Sequence, residues 1–207
     1  EIISKQPVRV KFPETVPKRQ KKIAEICSKN YYMDTFDFSK AVILRDNHVL
    51  LRPLEAGDLE YLLEFSLNEP ETWTYSLVNA AGKENLEAYI NAALEGRKQQ
   101  KEYAFIVYDQ INGQYAGTTR FYDIQLFNKT LQLGYTWYGK KFRGTGVNKH
   151  SKFLLLDYAF NTLQIERVEF RADNRNEKSI AAMKSIGCTV EGVLRSNAIT
   201  AEGIRRD

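Results

Sequence analysis

Two hydrophobic periods alternate along this chain from about residue 41 onward. Stretches with apolar residues at i, i+3 and i+4 predict helices, and stretches with a period of two predict strands. One helix begins after Asp58, which we expect to be its N-cap, and has Leu59, Leu62 and Leu63 on one face. The clearest helical pattern covers residues 84–97, where the shared apolar face consists of Leu86, Tyr89, Ile90, Ala93 and Leu94.

Strand patterns occupy most of the remaining segments. The predicted strands are HVLLRPL, YAFIVYD, QYAGTTRFYDI, TLQLGYTWY, ERVEFRA and CTVEGVLR, and GIRRD begins a further one. Asn112–Gly113 between the second and third is a strong hairpin signal. Two more helices are predicted, one from Asn148 to about Thr162 and one in NRNEKSIAAMKSIG, which ends at Gly187.

The order of these elements predicts an α/β (α+β) fold with a mixed sheet. The strand, loop, helix and strand between Thr130 and Ala172 form a parallel crossover, which we expect to be right-handed. Residues 41–207 therefore form the main domain. Residues 1–40 are predicted to be an N-terminal extension of unknown role, with a short helix in VPKRQKKIAEICSKN.

Composition excludes several classes of protein. The chain has 207 residues, 43% of them hydrophobic, and a net charge of +4. No apolar run approaches the roughly 20 residues that span a bilayer, and the basic excess is too small for a dedicated nucleic-acid binder. With only Cys27, Cys188, His48 and His150 as soft ligands, we expect no metal site. We expect a cytoplasmic protein in a reducing compartment.

The segment KKFRGTGVNKH at residues 140–150 predicts an anion site between a strand and a helix. Glycine lets phosphate oxygens approach backbone N–H groups, and a helix N-terminus adds about half a positive charge. A P-loop requires lysine where Thr145 stands, and a dinucleotide fingerprint requires glycine where Lys149 stands. The motif is therefore neither of these.

Two motifs together make the chain resemble the GNAT acetyltransferase superfamily from about residue 41 to 207. RGTGVN resembles the acyl-CoA loop of the family, with Asn148 at its last small position, and NRNEKSIAAMKSIGC resembles the family's Asn-x-x-Ser/Ala helix, with Cys188 in place of phenylalanine. The segment LGYTWYGKKFRGTGVNKHSKFLLLDYAF is most similar to the RimJ/RimL-like branch, which contains N-terminal acetyltransferases of ribosomal proteins. The resemblance implies a mostly antiparallel, splayed central sheet with helices on both faces.

The resemblance also implies acetyl-CoA as co-substrate and a set of binding residues. The loop backbone would hold the pyrophosphate, and the strand before it would pair with the pantetheine arm. The implied cofactor-binding residues are Thr136, Tyr138, Arg143, Gly144, Thr145, Gly146, Val147, Asn148 and Asn176. Asn176 is equally well explained as a helix N-cap.

The catalytic groups are less determined. Met183 stands where many members carry a catalytic tyrosine, and Gln132 stands where relatives often carry a glutamate. The resemblance places Ser179 where it could help to protonate the leaving thiolate, and His150 where this branch often has a glutamate. Each is also compatible with an ordinary position in the first turn of a helix. Glu69 and Glu71 are further candidates for the general base, which stays unassigned.

The predicted function is acetyl transfer to a primary amine, with the α-amine of a protein, such as a ribosomal protein, as the leading acceptor. Three alternatives stay open: a small-molecule amine acetyltransferase acting on polyamines or aminoglycosides, a non-catalytic acyl-CoA sensor, and an RNA scaffold acting through residues 18–22. We expect no membrane partner, no strong nucleic-acid partner, and either a monomer or a homodimer.

Overall fold

The computed structural model describes residues 36–207, and Phe36–Asp207 form one compact unit. The predicted helix in VPKRQKKIAEICSKN, the basic residues 18–22 and most of the predicted extension lie outside the described residues. No helix within residues 36–207 has the length and apolar character needed to cross a membrane.

In the described part of the chain, six strands form the central sheet, and they lie in the order of the chain. Their ranges are β1 (Leu44–Arg45), β2 (Val49–Pro53), β3 (Glu102–Asp109), β4 (Gln114–Gln125), β5 (Thr130–Tyr138) and β6 (Arg167–Glu169). Neighbouring strands are antiparallel except β5 and β6, which are parallel. The mixed, mostly antiparallel sheet and its parallel crossover are therefore confirmed.

Four α-helices within residues 36–207 accompany the sheet: α1 (Leu59–Asn68), α2 (Lys83–Lys98), α3 (Val147–Asp157) and α4 (Glu177–Lys184). A π-helical turn, Tyr158–Thr162, continues α3 to the residue at which its end was predicted. The Tyr89 hydroxyl of α2 is hydrogen-bonded to the Thr118 hydroxyl, whereas the Lys152 ammonium of α3 donates to the Thr119 hydroxyl. Because successive strand residues point to opposite faces, α2 and α3 cover opposite faces of the sheet.

Coverage on both faces explains the composition of the central strands. All five residues from Tyr103 to Val107 in β3 are buried, with exposed fractions of 4% or less. A strand that is covered on both sides needs apolar residues at every position rather than at alternate ones. The core continues into Phe36, whose ring packs edge-on against Tyr103 with centroids 5.2 Å apart.

Asp58 does not cap α1 as predicted. Its side chain makes no capping bond to that helix. Instead the carboxylate is 2% exposed and forms an ion pair with Arg52, and it accepts a bond from the Glu55 N–H at 2.8 Å. The partly buried Arg52 guanidinium competes for the oxygens that would otherwise accept from the helix N-terminus.

The predicted strand CTVEGVLR is wrong. Residues 188–195 have no regular structure, and Val190, Val193 and Leu194 are each 58% exposed. The alternation is present in the sequence, but no strand among the described residues pairs with this segment, and an unpaired strand is not stable. The segment GIRRD does supply a strand: β7 (Ala198–Ile199) pairs with β8 (Arg205–Arg206) in a separate two-stranded sheet.

Candidate active site

The two parallel strands β5 and β6 separate after a short ladder. Thr130, Leu131 and Gln132 pair with Arg167, Val168 and Glu169, and β6 then ends. The rest of β5, residues 133–138, continues without a β6 partner. This leaves one edge of β5 available to an extended ligand, which could form strand-like hydrogen bonds with it.

A β-bulge lies in the unpaired part of β5. Thr118 pairs with Trp137 and Arg120 pairs with Gly134, so Tyr135 and Thr136 together face Thr119. Tyr135 has a φ of 49°, a left-handed conformation that is uncommon for a bulky side chain. Bulges of this kind re-aim backbone groups next to functional sites.

One face of the bulge is fixed by a buried aromatic and cationic cluster. Arg120, 4% exposed, lies 4.3 Å from the Tyr135 ring centroid and 4.7 Å from that of Tyr89. It also forms an ion pair with Glu102 at 2.9 Å. The Tyr89 hydroxyl donates to the Tyr135 carbonyl oxygen at 3.3 Å. These contacts stabilise the strained backbone of Tyr135.

The opposite face of the bulge carries a buried lysine. The Lys152 ammonium donates to the Thr136 hydroxyl at 2.7 Å and to the Thr119 hydroxyl at 3.3 Å. Its Nζ lies 5.4 Å from the ring centroid of Phe170, which directly follows β6. Lys152 therefore lies below the gap between the two diverging strands.

The glycine loop has the backbone geometry of an anion site. Gly144 and Gly146 have left-handed φ angles of 80° and 96°, and α3 begins at Val147. Among the described residues, the N–H groups from Gly144 to Asn148 donate to no protein acceptor. Successive N–H groups in such a turn at a helix N-terminus form a concavity that binds anions.

Side chains from the segment after α1 hold the start of this loop. Glu69 accepts from the Lys140 N–H at 2.8 Å, and Glu71 forms an ion pair with the Lys140 ammonium. Hydrogen bonding by Lys140 lowers the pKa of Glu71. Arg143 donates to the Tyr138 carbonyl oxygen at 3.1 Å and to Thr72 at 2.8 Å. Both candidate bases are thus engaged with the loop.

The predicted cofactor-binding residues come together at one end of β5, with the exception of Asn176. Tyr138 is buried, and burial raises the pKa of its phenol to about 12. Its side chain points into the core, so only its backbone faces the loop. Thr145 donates its hydroxyl to the Phe142 carbonyl oxygen at 2.8 Å, which closes the turn.

Asn176 is the N-cap of α4, as one of its two predicted roles requires. Its Oδ1 accepts from the Ser179 N–H at 3.1 Å. Ser179 lies partly buried in the first turn and its hydroxyl forms no hydrogen bond among the described residues. The catalytic role of Ser179 and the cofactor contact of Asn176 stay predictions.

Two substitutions separate the roles of Asn176. Asn176→Ala is expected to lower the free energy of unfolding by about 1 kcal/mol, because it removes the cap. Asn176→Asp keeps a capping oxygen and is expected to retain stability, so any loss of acetyl-CoA affinity in it reports a cofactor contact. Urea unfolding and calorimetric titration measure the two quantities. Equal destabilisation by both substitutions would contradict the capping role.

His150 lies with Asp46 and His48 rather than at the bulge. Its Nδ1 is 2.6 Å from the Asp46 carboxylate, and its ring stacks on His48 with centroids 3.9 Å apart. The turn between β1 and β2 that carries Asp46 lies at the sheet edge opposite β6. The role of His150 as a general base stays a prediction, and the structure does not bring it to the other candidate groups.

The same three residues are the only candidate metal ligands that converge within residues 36–207, with donor atoms within 4.8 Å of one another. The two imidazole rings are stacked, with planes only 13° apart and centroids 3.9 Å apart. Ring nitrogens coordinate in the plane of the ring, so lone pairs that lie in two stacked, nearly parallel planes do not converge on one ion. The cluster is better described as a hydrogen-bonded stack than as a tetrahedral metal centre.

Two side chains of the candidate site, Lys152 and Asp123, were not predicted from the sequence. Lys152 was hidden within a polar helix segment, and a single sequence gives no signal that it faces inward. Asp123 was also missed: its carboxylate accepts from the Gln132 amide at 2.7 Å and from Gln125 at 2.9 Å. It has a φ of 47° at an irregularity in β4, and this turns it toward Gln132.

The arrangement combines an anion cradle with an open strand edge and a bulge along one strand. A ligand with a phosphate at one end and an extended amide-bearing arm would bind the loop and follow β5 toward Tyr135. A four-residue stretch of strand between the loop and the bulge spans about 13 Å. Acyl-CoA thioesters have this form, because a pantetheine arm links their pyrophosphate to the thioester.

Comparison with known proteins identifies the family. The family model described as "Acetyltransferase (GNAT) domain" matches residues 48–189. The Bacillus subtilis (strain 168) protein named "Putative ribosomal N-acetyltransferase YdaF" is 28% identical over 167 residues, which cover 78% of this chain and 88% of that protein. Spermidine N(1)-acetyltransferase of Escherichia coli (strain K12) is 27% identical over 149 residues, covering 70% of this chain and 75% of that protein.

A solved structure gives the same result. The crystal structure of a putative acetyltransferase from T. thermophilus superimposes with a TM-score of 0.71 and 31% identity, covering 79% of this chain and 84% of that one. The region that matches the family model contains the glycine loop, the bulge and α4. The chain belongs to the GNAT family of N-acetyltransferases.

Proposed function

We propose that this protein transfers the acetyl group of acetyl-CoA to the α-amine of a protein N-terminus, with a ribosomal protein as the substrate class and the cytoplasm as the site of action. The observation that carries this proposal is the bulge at Tyr135, which lies in the part of β5 that has no β6 partner and that leads to the glycine loop. Similarity to the Bacillus subtilis relative, whose name refers to a ribosomal acetyltransferase, supports the choice of acceptor.

The free loop N–H groups from Gly144 to Asn148 would bind the pyrophosphate of acetyl-CoA, whereas the predicted contribution of the Arg143 N–H is taken up by the Lys140 carbonyl oxygen at 3.1 Å. The backbone of Thr136 would pair with the pantetheine arm. A backbone N–H at the bulge, near Tyr135, would serve as the donor to the thioester carbonyl oxygen. An oxyanion donor of this kind contributes about 3–4 kcal/mol to transition-state stabilisation. Acetyl-CoA supplies the acyl group and the thiol leaving group. The protein supplies binding, orientation and proton transfer.

Charged groups of both signs lie near the bulge. Burial raises the pKa of Tyr122 to about 12; the guanidinium groups of Arg171 and Arg206 act in the opposite direction, and Asp123 adds to the rise. Arg206 also acts on Tyr135, whose ring is in edge contact with Tyr122, with centroids 5.1 Å apart. A peptide acceptor would present carbonyl and carboxylate groups to these guanidinium donors, and the acceptor panel below decides between a peptide and a polyamine.

The acceptor must lose a proton, and Asp123 is the carboxylate that the structure places next to Gln132. It is exposed to solvent and fixed by two amide donors. Asp123 therefore joins His150 as a candidate base. A relay through water would connect Asp123 to the amine, whereas His150 lies with Asp46 and away from the bulge. The base itself stays unassigned.

An acceptor panel tests the proposed function. CoA release from acetyl-CoA is measured with a peptide that has a free α-amine and no lysine, with the same peptide blocked at its N-terminus, and with spermidine. We expect the free peptide to have a kcat/KM at least about tenfold above that of spermidine, and the blocked peptide to be inert. Turnover of spermidine alone would transfer the assignment to small-molecule amines, and CoA binding without any turnover would favour a sensor.

A further inference from the structure

Lys152 is a buried cation without a buried counter-charge. Its side chain is 5% exposed, and it forms no ion pair with any carboxylate in residues 36–207. A buried ammonium that lacks such a partner is costly for folding. A residue that lowers stability in this way is a candidate for function.

Four side chains among the described residues contact or influence the Lys152 ammonium. The hydroxyls of Thr119 and Thr136 on β4 and β5 accept two of the three ammonium hydrogens. Phe170 presents its ring from the β6 side, and the Cys188 thiol, beyond α4, is the one titratable neighbour that influences it. Burial raises the pKa of that thiol, so it stays neutral near pH 7.

Burial lowers the pKa of Lys152 from 10.5 to about 7, and Cys188 only partly opposes this shift. Both the ammonium and the neutral amine are therefore populated near neutral pH. A group of this kind can give and regain a proton at little cost, which is the property of an efficient general acid.

We propose that Lys152 is the acid that protonates the departing CoA sulfur. The ammonium lies beneath the gap between β5 and β6, bonded to the bulge residue Thr136, which is where an acyl-CoA that follows β5 must place its thioester. The inference rests on the proposed acetyl-CoA site. It assigns to α3 a proton-donating function for which the family resemblance indicated Ser179 on α4, where Met183 stands at the position of the catalytic tyrosine of many members.

Every proton and electron pair in this step has a destination. The acceptor nitrogen adds to the thioester carbonyl carbon, the C–S bond breaks, and its electron pair leaves with the sulfur. Lys152 gives one proton to that sulfur, which yields the CoA thiol and a neutral lysine amine. The proton that the acceptor nitrogen sheds on forming the amide passes to the unassigned general base and from there through water to the neutral Lys152 amine.

The test uses bound CoA as a probe rather than turnover alone. The ultraviolet absorbance of the thiolate is titrated with pH for CoA bound to the full-length protein and to Lys152→Met. If Lys152 faces the sulfur, the thiol of bound CoA ionises at lower pH in the wild type than in the variant. Titration with desulfo-CoA, which lacks the sulfur, should give equal affinities for the two proteins.

Kinetics supply the second readout. Lys152→Met is expected to lower kcat about 100-fold with little change in the KM for acetyl-CoA, and to remove the alkaline limb of the pH profile, since the reaction requires the ammonium. Lys98→Met is the matched control, because Lys98 is 80% exposed at the end of α2 and pairs only with Glu95. It should leave both quantities unchanged.

The melting temperature distinguishes a misfolded variant from a folded variant that lacks the proton donor. Methionine removes a buried charge, so Lys152→Met should raise the melting temperature. Below about pH 7, Lys152 is protonated in both the folded and the unfolded wild-type protein. Between about pH 7 and 10.5, it is protonated only in the unfolded protein. Wild-type stability therefore rises with pH across that window relative to the variant.

Each outcome decides between the two proposals. Failure of desulfo-CoA to bind the wild type would refute the acetyl-CoA site itself. Equal desulfo-CoA binding, together with identical thiol titrations or an unchanged kcat, would overturn the role of Lys152 while leaving the site intact.

Discussion

Replacing Gly146 with aspartate is expected to weaken acetyl-CoA binding about 100-fold, equivalent to about 3 kcal/mol. The new carboxylate would stand at the N-terminus of α3, among the N–H groups that we assign to the pyrophosphate. Like charges in contact repel, and the carboxylate would also occupy the donors as a surrogate anion. Calorimetric titration with acetyl-CoA measures the effect directly.

Gly146→Asn is the matched control. Gly146 has a φ of 96°, and a Cβ there would meet only His150, at 3.7 Å. Asparagine and aspartate both tolerate left-handed backbone and differ mainly in charge. The asparagine variant should therefore bind within a few-fold of the wild type. Equal affinity of both variants and the wild type would show that the loop does not hold the pyrophosphate.

Gly117→Ala is expected to lower the free energy of unfolding by about 3 kcal/mol or more. A Cβ at Gly117 would lie 2.0 Å from the Trp137 carbonyl oxygen and 2.9 Å from the Tyr138 Cα. These are backbone atoms of β5, so they cannot move without disturbing the ladder. For a domain of this size, we expect the melting temperature to fall by about 10 °C.

The control for this stability prediction is Gly57→Ala. A Cβ at Gly57 would meet nothing within 4 Å, so that variant should lie within about 1 kcal/mol of the wild type. Because Gly117 pairs with Tyr138 immediately before the glycine loop, the close approach of β4 also fixes where the loop begins. A melting temperature unchanged by Gly117→Ala would mean that the two strands are not in this register.

The sequence predicted those parts of the fold that depend on local pattern. Helix α2 follows from the spacing of Leu86, Ile90 and their neighbours, and the glycine loop follows from Gly144 and Gly146 between a strand and a helix. The predictions that were wrong depended on contacts with residues distant in the sequence. Asp58 has the residue type and position of a cap, but its carboxylate is ion-paired with Arg52. CTVEGVLR has the alternation of a strand, but no strand among the described residues pairs with it.

Only the backbone elements of the candidate site, its loop and its strand, were predictable from the sequence. Its loop and strand carry motifs, whereas its side-chain chemistry depends on which residues the fold turns inward. Nothing local distinguishes Lys152 from the exposed Lys149 on the same helix. The left-handed backbone at residue 135 was also not predictable, because that position holds tyrosine rather than the glycine or asparagine that usually adopts this conformation. Contacts with Arg120 and Tyr89 stabilise it instead.

Mapping the acetylated atom tests the central claim most directly. The protein is incubated with acetyl-CoA that carries an isotopically heavy acetyl group and with a peptide that has both a free α-amine and an internal lysine. The product is then fragmented in a mass spectrometer. We predict that the heavy acetyl group lies on the N-terminal nitrogen of the peptide. Acetylation only at the lysine side chain, or no transfer from acetyl-CoA, would contradict the proposed function.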